Sequence, residues 1–293
     1  MYDIESLYEA QSVDDAARAL AEDPRAEIIA GGTDVLVKLR DGKGAPAHLV
    51  SIHELAGELA GVALAEDGTV EIGPLTVFHD VTVNPIIQRT VPTLGEACDT
   101  PGGPQLRTSG TIGGNVCTAA TSADSASTLF AYGALLDVRS VRGERTVPIE
   151  QWYAGPGRSH KERDEVLVRI RIPREHYEGF TGHYFKYGKR RALEIATMGC
   201  CCLVKLAADR STIDDIRLAF GVAGPTPMRA LAAEDAVRGM SVAEAAEKIG
   251  ELAAACTSPR DSWRASKEFR LQLIREMSRR SLIEAARRGG AEL

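Results

Sequence analysis

Val13, Ala16, Ala17 and Leu20 recur at the spacing of one helix face, and Ser12 stands just ahead of them as a side-chain cap. The stretch AEIIAGGTDVLVKLRDG (26–42) then reads as a short buried strand, a Gly31-Gly32 turn and a helix. Thr33 or Asp34 is placed to cap that helix through its side-chain oxygen. HLVSI (48–52) predicts another strand. From Gly61 to about Pro173 the period shortens to two: TVEIGPL and EVLVRIRIP alternate, and ALLDVRSVRGERTVPI predicts a hairpin turning near Arg142-Gly143. Helical segments are predicted around 77–99 and 123–132. Strands follow in GHYFKYG, ATMGCCCLVKL and DIRLAFGVAG, and then the pattern turns helical. Ser241 caps VAEAAEKIGELAAAC, and WRASKEFRLQLIREMSRRSLIEAARR predicts one long helix. A β-α-β opening, a β-rich middle and strands followed by helices make an α+β chain with a boundary near residue 175.

Composition narrows the classes. With 293 residues and 44% hydrophobic content, the chain has enough apolar material for a large core and two domains. A net charge of −6 argues against a general nucleic-acid binder, which needs a basic face. No stretch has the roughly 20 apolar residues of a membrane span, and MYDIESLYEA lacks a signal pattern, so a cytoplasmic protein is expected. Cys200, Cys201 and Cys202 are contiguous in a predicted strand, where alternate residues face opposite sides and cannot close around one metal ion. Cys98, Cys117 and Cys256 are isolated, and no Cys-x-x-Cys or paired histidine spacing occurs. No metal or iron–sulfur site is expected on this chain.

Two glycine pairs carry the candidate chemistry: Gly31-Gly32-Thr33-Asp34 and Thr111-Ile112-Gly113-Gly114-Asn115. Either alone is an ordinary turn, since glycine supplies positive φ without strain. Both together read as backbone bent so that consecutive N–H groups converge on phosphate oxygens, one loop for each half of a pyrophosphate. Neither is a Gly-x-Gly-x-x-Gly fingerprint or a P-loop.

IIAGGTDVLVKLRDG, TIGGN, the following SAD and the later FKYGKRRALEIATMG together resemble the FAD-binding subunit of the molybdenum hydroxylases, the xanthine dehydrogenase family, over essentially the whole chain. FGVAGPTPMRA and SWRASKEFRLQLI resemble the separate flavin subunit of bacterial xanthine dehydrogenases. The resemblance implies a two-subdomain FAD-binding fold of the vanillyl-alcohol-oxidase/PCMH type over 1–175, with subdomains of about 1–56 and 57–175. A C-terminal domain of antiparallel strands and helices follows over 176–293.

It also implies site residues. Ile28, Ile29, Ala30, Gly31, Gly32, Thr33, Asp34 and Val35 match the first pyrophosphate loop. Gly110, Thr111, Gly113, Gly114 and Asn115 match the second, and Thr118 and Asp124 match side-chain contacts to the cofactor. Leu167 matches an apolar wall position, and Lys186 the cation near the flavin. Glu194 stands where the family often has aspartate, and Pro101-Gly102-Gly103 where some relatives carry an aromatic over the ring.

The family's function implies a non-covalent FAD on this chain, with molybdopterin on a large partner subunit and a 2Fe–2S pair on a small one. The expected assembly is a dimer of heterotrimers. Electrons from the iron–sulfur chain would reach a final acceptor such as NAD, with xanthine or another purine as the oxidised substrate. Three alternatives remain open at the sequence level. They are the flavin subunit of a hydroxylase acting on carbon monoxide, nicotine or an aromatic N-heterocycle, a stand-alone FAD-dependent reductase, and a non-redox nucleotide-binding module.

Overall fold

The computed structural model describes residues 2–44 and 47–292 and builds them around three principal sheets in succession. The first comprises β1 (Ile4–Glu9), α1 (Val13–Glu22), β2 (Ala26–Ile29), α2 (Val35–Arg40) and β3 (Ala47–Ser51), with parallel strands in the order β1-β3-β2. Ser12 caps α1 as expected, accepting the Asp15 N–H at 3.1 Å, and Val13, Ala16, Ala17 and Leu20 form its buried face. Leu49 and Val50 on the central strand enter separate apolar clusters on opposite faces, the burial typical of a covered parallel sheet. The hydrophobic pattern does not predict β1, because that edge strand is exposed along its whole length.

The middle block runs through α3 (Ala56–Leu59), β4 (Val62–Leu64), β5 (Val70–Ile72), α4 (Phe78–Val83), α5 (Pro85–Thr90), α6 (Pro92–Cys98) and α7 (Pro104–Arg107). It continues with α8 (Ile112–Thr118), α9 (Asp124–Ala131), β6 (Leu135–Ser140), β7 (Gly143–Pro148), β8 (Tyr153–Gly155), β9 (Arg158–Ser159) and β10 (Val166–Ile172). Five of these strands form an antiparallel sheet in the order β4-β5-β10-β6-β7, and β6 and β7 are the expected hairpin. The helical segment expected over 77–99 is three helices. Pro85 and Pro92 each lack the N–H that would continue a helix, so each opens a new one instead.

The last block holds β11 (Thr181–Tyr187), β12 (Met198–Leu206), β13 (Ile213–Gly221), β14 (Met228–Arg229), α10 (Leu231–Val237), α11 (Val242–Ala255) and α12 (Lys267–Arg288). Its antiparallel sheet, β11-β12-β13-β14, is covered on both faces. Cys201, Leu203 and Ala219 join the core of the middle block, while Cys200, Cys202, Leu218 and Phe220 pack with the three C-terminal helices. That double burial explains the unbroken apolar run ATMGCCCLV, and the three cysteines divide between the faces as period two requires.

Ser241 and Glu244 form a capping box at the start of α11. The final helix begins at Lys267, capped by Ser266, so Trp263 and Arg264 precede it. Its arginines are not simply a solvated face. Arg270 is buried and donates to Ser262 Oγ at 2.8 Å, and Arg288 pairs with Glu96 and donates to the Gly182 carbonyl at 2.8 Å.

Candidate functional site

The first glycine loop leaves the end of β2 at Ile29 and reaches α2 at Val35. Gly32 sits at φ +71°, where a side chain would be strained. Gly31 is there for a different reason. A Cβ on it would stand 1.8 Å from the Ser109 carbonyl oxygen, so only glycine lets this loop lie against the second one. Among the described residues, the N–H groups from Ala30 to Val35 meet no protein acceptor. The helix bonds begin only with the Leu36 N–H to the Gly32 carbonyl at 3.0 Å.

The expected cap by Thr33 or Asp34 is not made. Asp34 is the capping residue by position, but its carboxylate is drawn to Lys38 Nζ at 2.7 Å and accepts the Thr118 hydroxyl at 3.5 Å. A cap at Asp34 would have taken the Leu36 or Val37 N–H and one at Thr33 the Val35 or Leu36 N–H; neither is made, and the N–H groups from Ala30 to Val35 stay an unpaired row, the arrangement that suits an anion.

The second loop is built the other way. The Gly110 N–H goes to the Leu106 carbonyl at 2.7 Å, Ile112 to Thr76 at 3.0 Å, and Gly113 to Pro74 at 2.9 Å. Thr111 caps α8 by accepting the Gly114 N–H at 3.1 Å, and Asn115 donates to the Thr111 carbonyl at 3.1 Å. The expectation that this loop also exposes a run of free N–H groups is therefore corrected: distant carbonyls of the 74–76 turn and the helix cap have taken them. Thr111 alone in the segment 110–115 keeps an N–H with no acceptor among the described residues.

Positive φ is not the reason for its glycines either. A Cβ on Gly113 would stand 2.3 Å from Pro74 Cβ, and one on Gly114 would stand 2.9 Å from the capping Thr111 hydroxyl. This loop contributes side chains. Ser125 donates to Asn115 Oδ1 at 2.7 Å, which leaves the carboxamide nitrogen as a donor.

Both loops line one cavity of about 600 Å³, within the usual range for a small-molecule site. Every cofactor contact implied by the resemblance lies on its wall except Ile29, Gly110 and Lys186; Pro101, Gly102 and Glu194 line it too, whereas Gly103 does not. Ile29 packs beneath the loop in an apolar cluster with Leu39 and Leu49, and Gly110 serves the scaffold through its bond to Leu106. Lys186 stands behind Asp124, its ammonium 2.8 Å from Asp124 Oδ2 and 3.0 Å from the Thr100 carbonyl. Burial pushes the Asp124 carboxyl above its ordinary range, against the opposing pull of Lys186 and Tyr184.

The sequence pattern missed several wall residues. Pro74, Leu75 and Phe78 arrive from a turn that no motif marks, and their signal is steric, being the surface on which Gly113 and Gly110 close. Leu106 of α7 and Ile195 also line the cavity, the latter next to Glu194, which the sequence marks. Lys161 and Arg163 flank the entry to β10. Burial lowers the Lys161 ammonium pKa, and its Nζ donates to the carbonyls of Glu162 at 2.9 Å and Glu165 at 2.8 Å. Cys117, also on the wall, is pushed up to about 11 by burial. Among the described residues no group of three or more His, Cys, Asp or Glu side chains is gathered for a metal ion, and no helix is long and apolar enough to cross a membrane.

Comparison with known proteins gives consistent matches. Residues 2–175 match the family described as FAD binding domain in molybdopterin dehydrogenase, and residues 183–285 match the CO dehydrogenase flavoprotein C-terminal domain. The chain is 42% identical to the xanthine dehydrogenase FAD-binding subunit of Escherichia coli O157:H7, with all of both chains covered. It is 30% identical to the carbon monoxide dehydrogenase medium chain of Hydrogenophaga pseudoflava over 89% of each. Superposition on a chain of the solved carbon monoxide dehydrogenase from that organism gives a TM-score of 0.91 at 29% identity, covering 99% of both.

Proposed function

The chain belongs to the FAD-binding subunits of the molybdenum hydroxylases, and from that membership we propose that it binds FAD non-covalently in the cavity between the two glycine loops. The observation that carries this reading is the row of unpaired N–H groups from Ala30 to Val35, aimed at no protein acceptor among the described residues. A pyrophosphate supplies the oxygens such a row lacks, through charge-assisted hydrogen bonds. Asn115, Thr118 and the Thr111 N–H face it from the second loop, Leu167 offers an apolar wall, and Asp124, held by Lys186, borders the same space. The residues present fit the cofactor.

Bound flavin supplies the redox chemistry, accepting electrons singly or in pairs, while the protein supplies orientation and electrostatics. In our reading the chain receives electrons from 2Fe–2S clusters on a small partner subunit and delivers them to an acceptor such as NAD. The molybdopterin-bearing large subunit oxidises xanthine or another purine, in a dimer of heterotrimers in the cytoplasm. Identity of 42% over the full length favours the purine reading over carbon monoxide oxidation, where the identity is 30%. We assign residues 1–175 to the flavin-binding domain and 176–293 to a C-terminal domain, a division supported by the separate sheet that begins at Thr181.

Titration of the purified apo-chain with FAD, followed by visible absorption, tests the reading. Saturable binding at one FAD per chain, with all the flavin released by acid denaturation, is expected. No binding would overturn it in favour of a module that uses the loops for another anion, and colour retained on the precipitate would overturn the non-covalent part. The rigorously purified single chain is expected not to oxidise purines. Purine turnover by it alone would contradict the division of labour and favour a stand-alone enzyme.

A further inference from the structure

Asp124 is the first residue of α9, and each of its carboxylate oxygens accepts a hydrogen bond from β11, with the Thr100 side chain beside them. Tyr184 and Lys186 lie two residues apart on β11 and therefore on one face of the sheet. The Tyr184 hydroxyl donates to Asp124 Oδ1 at 2.8 Å, and the Lys186 ammonium donates to Oδ2 at 2.8 Å. Each oxygen thus has its own donor, and the carboxylate plane is fixed by two contacts rather than one.

Asp124 lies on the cavity wall, whereas Tyr184 and Lys186 do not. The neighbouring strand makes room for this arrangement. Gly199 pairs with Lys186 across the ladder, and a Cβ there would come 3.2 Å from the Tyr184 hydroxyl. The buried Ser127 hydroxyl, one turn along α9 from Asp124, stands 3.8 Å from the position of that Cβ and has no hydrogen-bond partner among the described residues.

We propose that Tyr184 is a positioning residue of the flavin site, its hydroxyl fixing the orientation of the Asp124 carboxylate on the cavity wall, an inference that rests on the FAD-binding reading above. Without Tyr184 the Oδ1 side of the carboxylate loses its β11 donor, while Lys186 still holds Oδ2. A carboxylate has about four acceptor positions, so with both oxygens anchored it keeps lone pairs for a donor on the ligand. The titratable groups facing it are Lys186 and Tyr184 on β11 and Cys98 at the end of α6. Burial raises its pKa, and the two β11 donors oppose that rise. Loss of the tyrosine donor therefore moves the carboxyl further upward, and an affinity that needs the ionised form is lost at a higher pH as the solution is acidified.

The experiment is a set of FAD titrations of the full chain across the acidic and neutral range. It compares the parent with Tyr184→Phe, Asp124→Asn and the double variant. Tyr184→Phe is expected to weaken FAD binding about tenfold, the scale of one hydrogen bond to a charged group. The acid limb of its affinity profile is expected to move up by about one pH unit. In the Asp124→Asn background the same change is expected to add nothing, because the group it acts through is gone.

Gly199→Ala, which crowds the hydroxyl from the opposite strand, is expected to move the acid limb the same way by less. It supplies the test if Tyr184→Phe fails to fold. A Tyr184→Phe profile that superimposes on the parent's overturns the proposal, as does an equal loss in both backgrounds, which marks plain packing. A parent chain that binds no FAD overturns the flavin reading and this proposal with it. Normal binding by the parent with an unshifted Tyr184→Phe overturns this proposal alone.

Discussion

The two glycine loops look alike in sequence and differ in every structural respect that matters to a ligand. The first spends almost none of its backbone donors on the protein: from Ala30 to Val35 no acceptor is found among the described residues, and Asp34 turns away to Lys38 instead of capping. The second spends nearly all of its donors, on Leu106, Thr76, Pro74 and its own cap at Thr111. The first is thus left open to an anion, and the second is a rigid wall that holds it in place. Their contact at Gly31 and Ser109 makes one site of the two. A Gly-Gly pair in a sequence therefore signals close approach, and whether its N–H groups are free depends on carbonyls far along the chain.

The largest effect is expected where the loops meet. In Gly31→Ala the new methyl would stand 1.8 Å from a backbone oxygen that cannot retreat without parting the loops. Both thermal stability and FAD affinity are expected to collapse, with affinity reduced at least about a hundredfold, as several charge-assisted bonds are lost together. Near-parent affinity measured by titration would show that the loops need not touch.

Gly113→Ala separates the two roles. Its Cβ would overlap Pro74, so a destabilisation of about 1–3 kcal/mol or more is expected, read as a lower melting temperature. The Gly113 N–H already belongs to Pro74, so the molecules that fold are expected to keep FAD affinity within about threefold, a shift below 1 kcal/mol. Binding lost with an unchanged melting temperature would return the second loop to the role of phosphate cradle.

The smallest effect is expected from Thr111→Val, which keeps the shape and removes the cap on Gly114. A cost of about 1 kcal/mol in stability is expected, with no change in FAD affinity. Calorimetry and titration together would check both halves.

Much of this was legible from the residues. The strand, turn and helix around Gly31-Gly32 follow from local pattern, and the alternation of Cys200, Cys201 and Cys202 between two cores follows from the period of a strand. The break of the 77–99 segment was also written in Pro85 and Pro92, since neither can donate within a helix. What could not be read were relations across the chain. Pro74 and Thr76 take donors from residues near position 112, and β11 sets Lys186 behind Asp124 rather than on the cavity wall. β1 was invisible because an exposed edge strand has no buried face to imprint a pattern.

Hydrogen–deuterium exchange of the full chain with and without FAD tests the division between the loops most directly. The amides of 30–35, lacking protein acceptors, are expected to exchange fast in the apo-chain and to become strongly protected when FAD is added. Those of 112–115, already bonded, are expected to be slow in both states. Protection of 30–35 before FAD is added, or a gain confined to 112–115, would contradict the account.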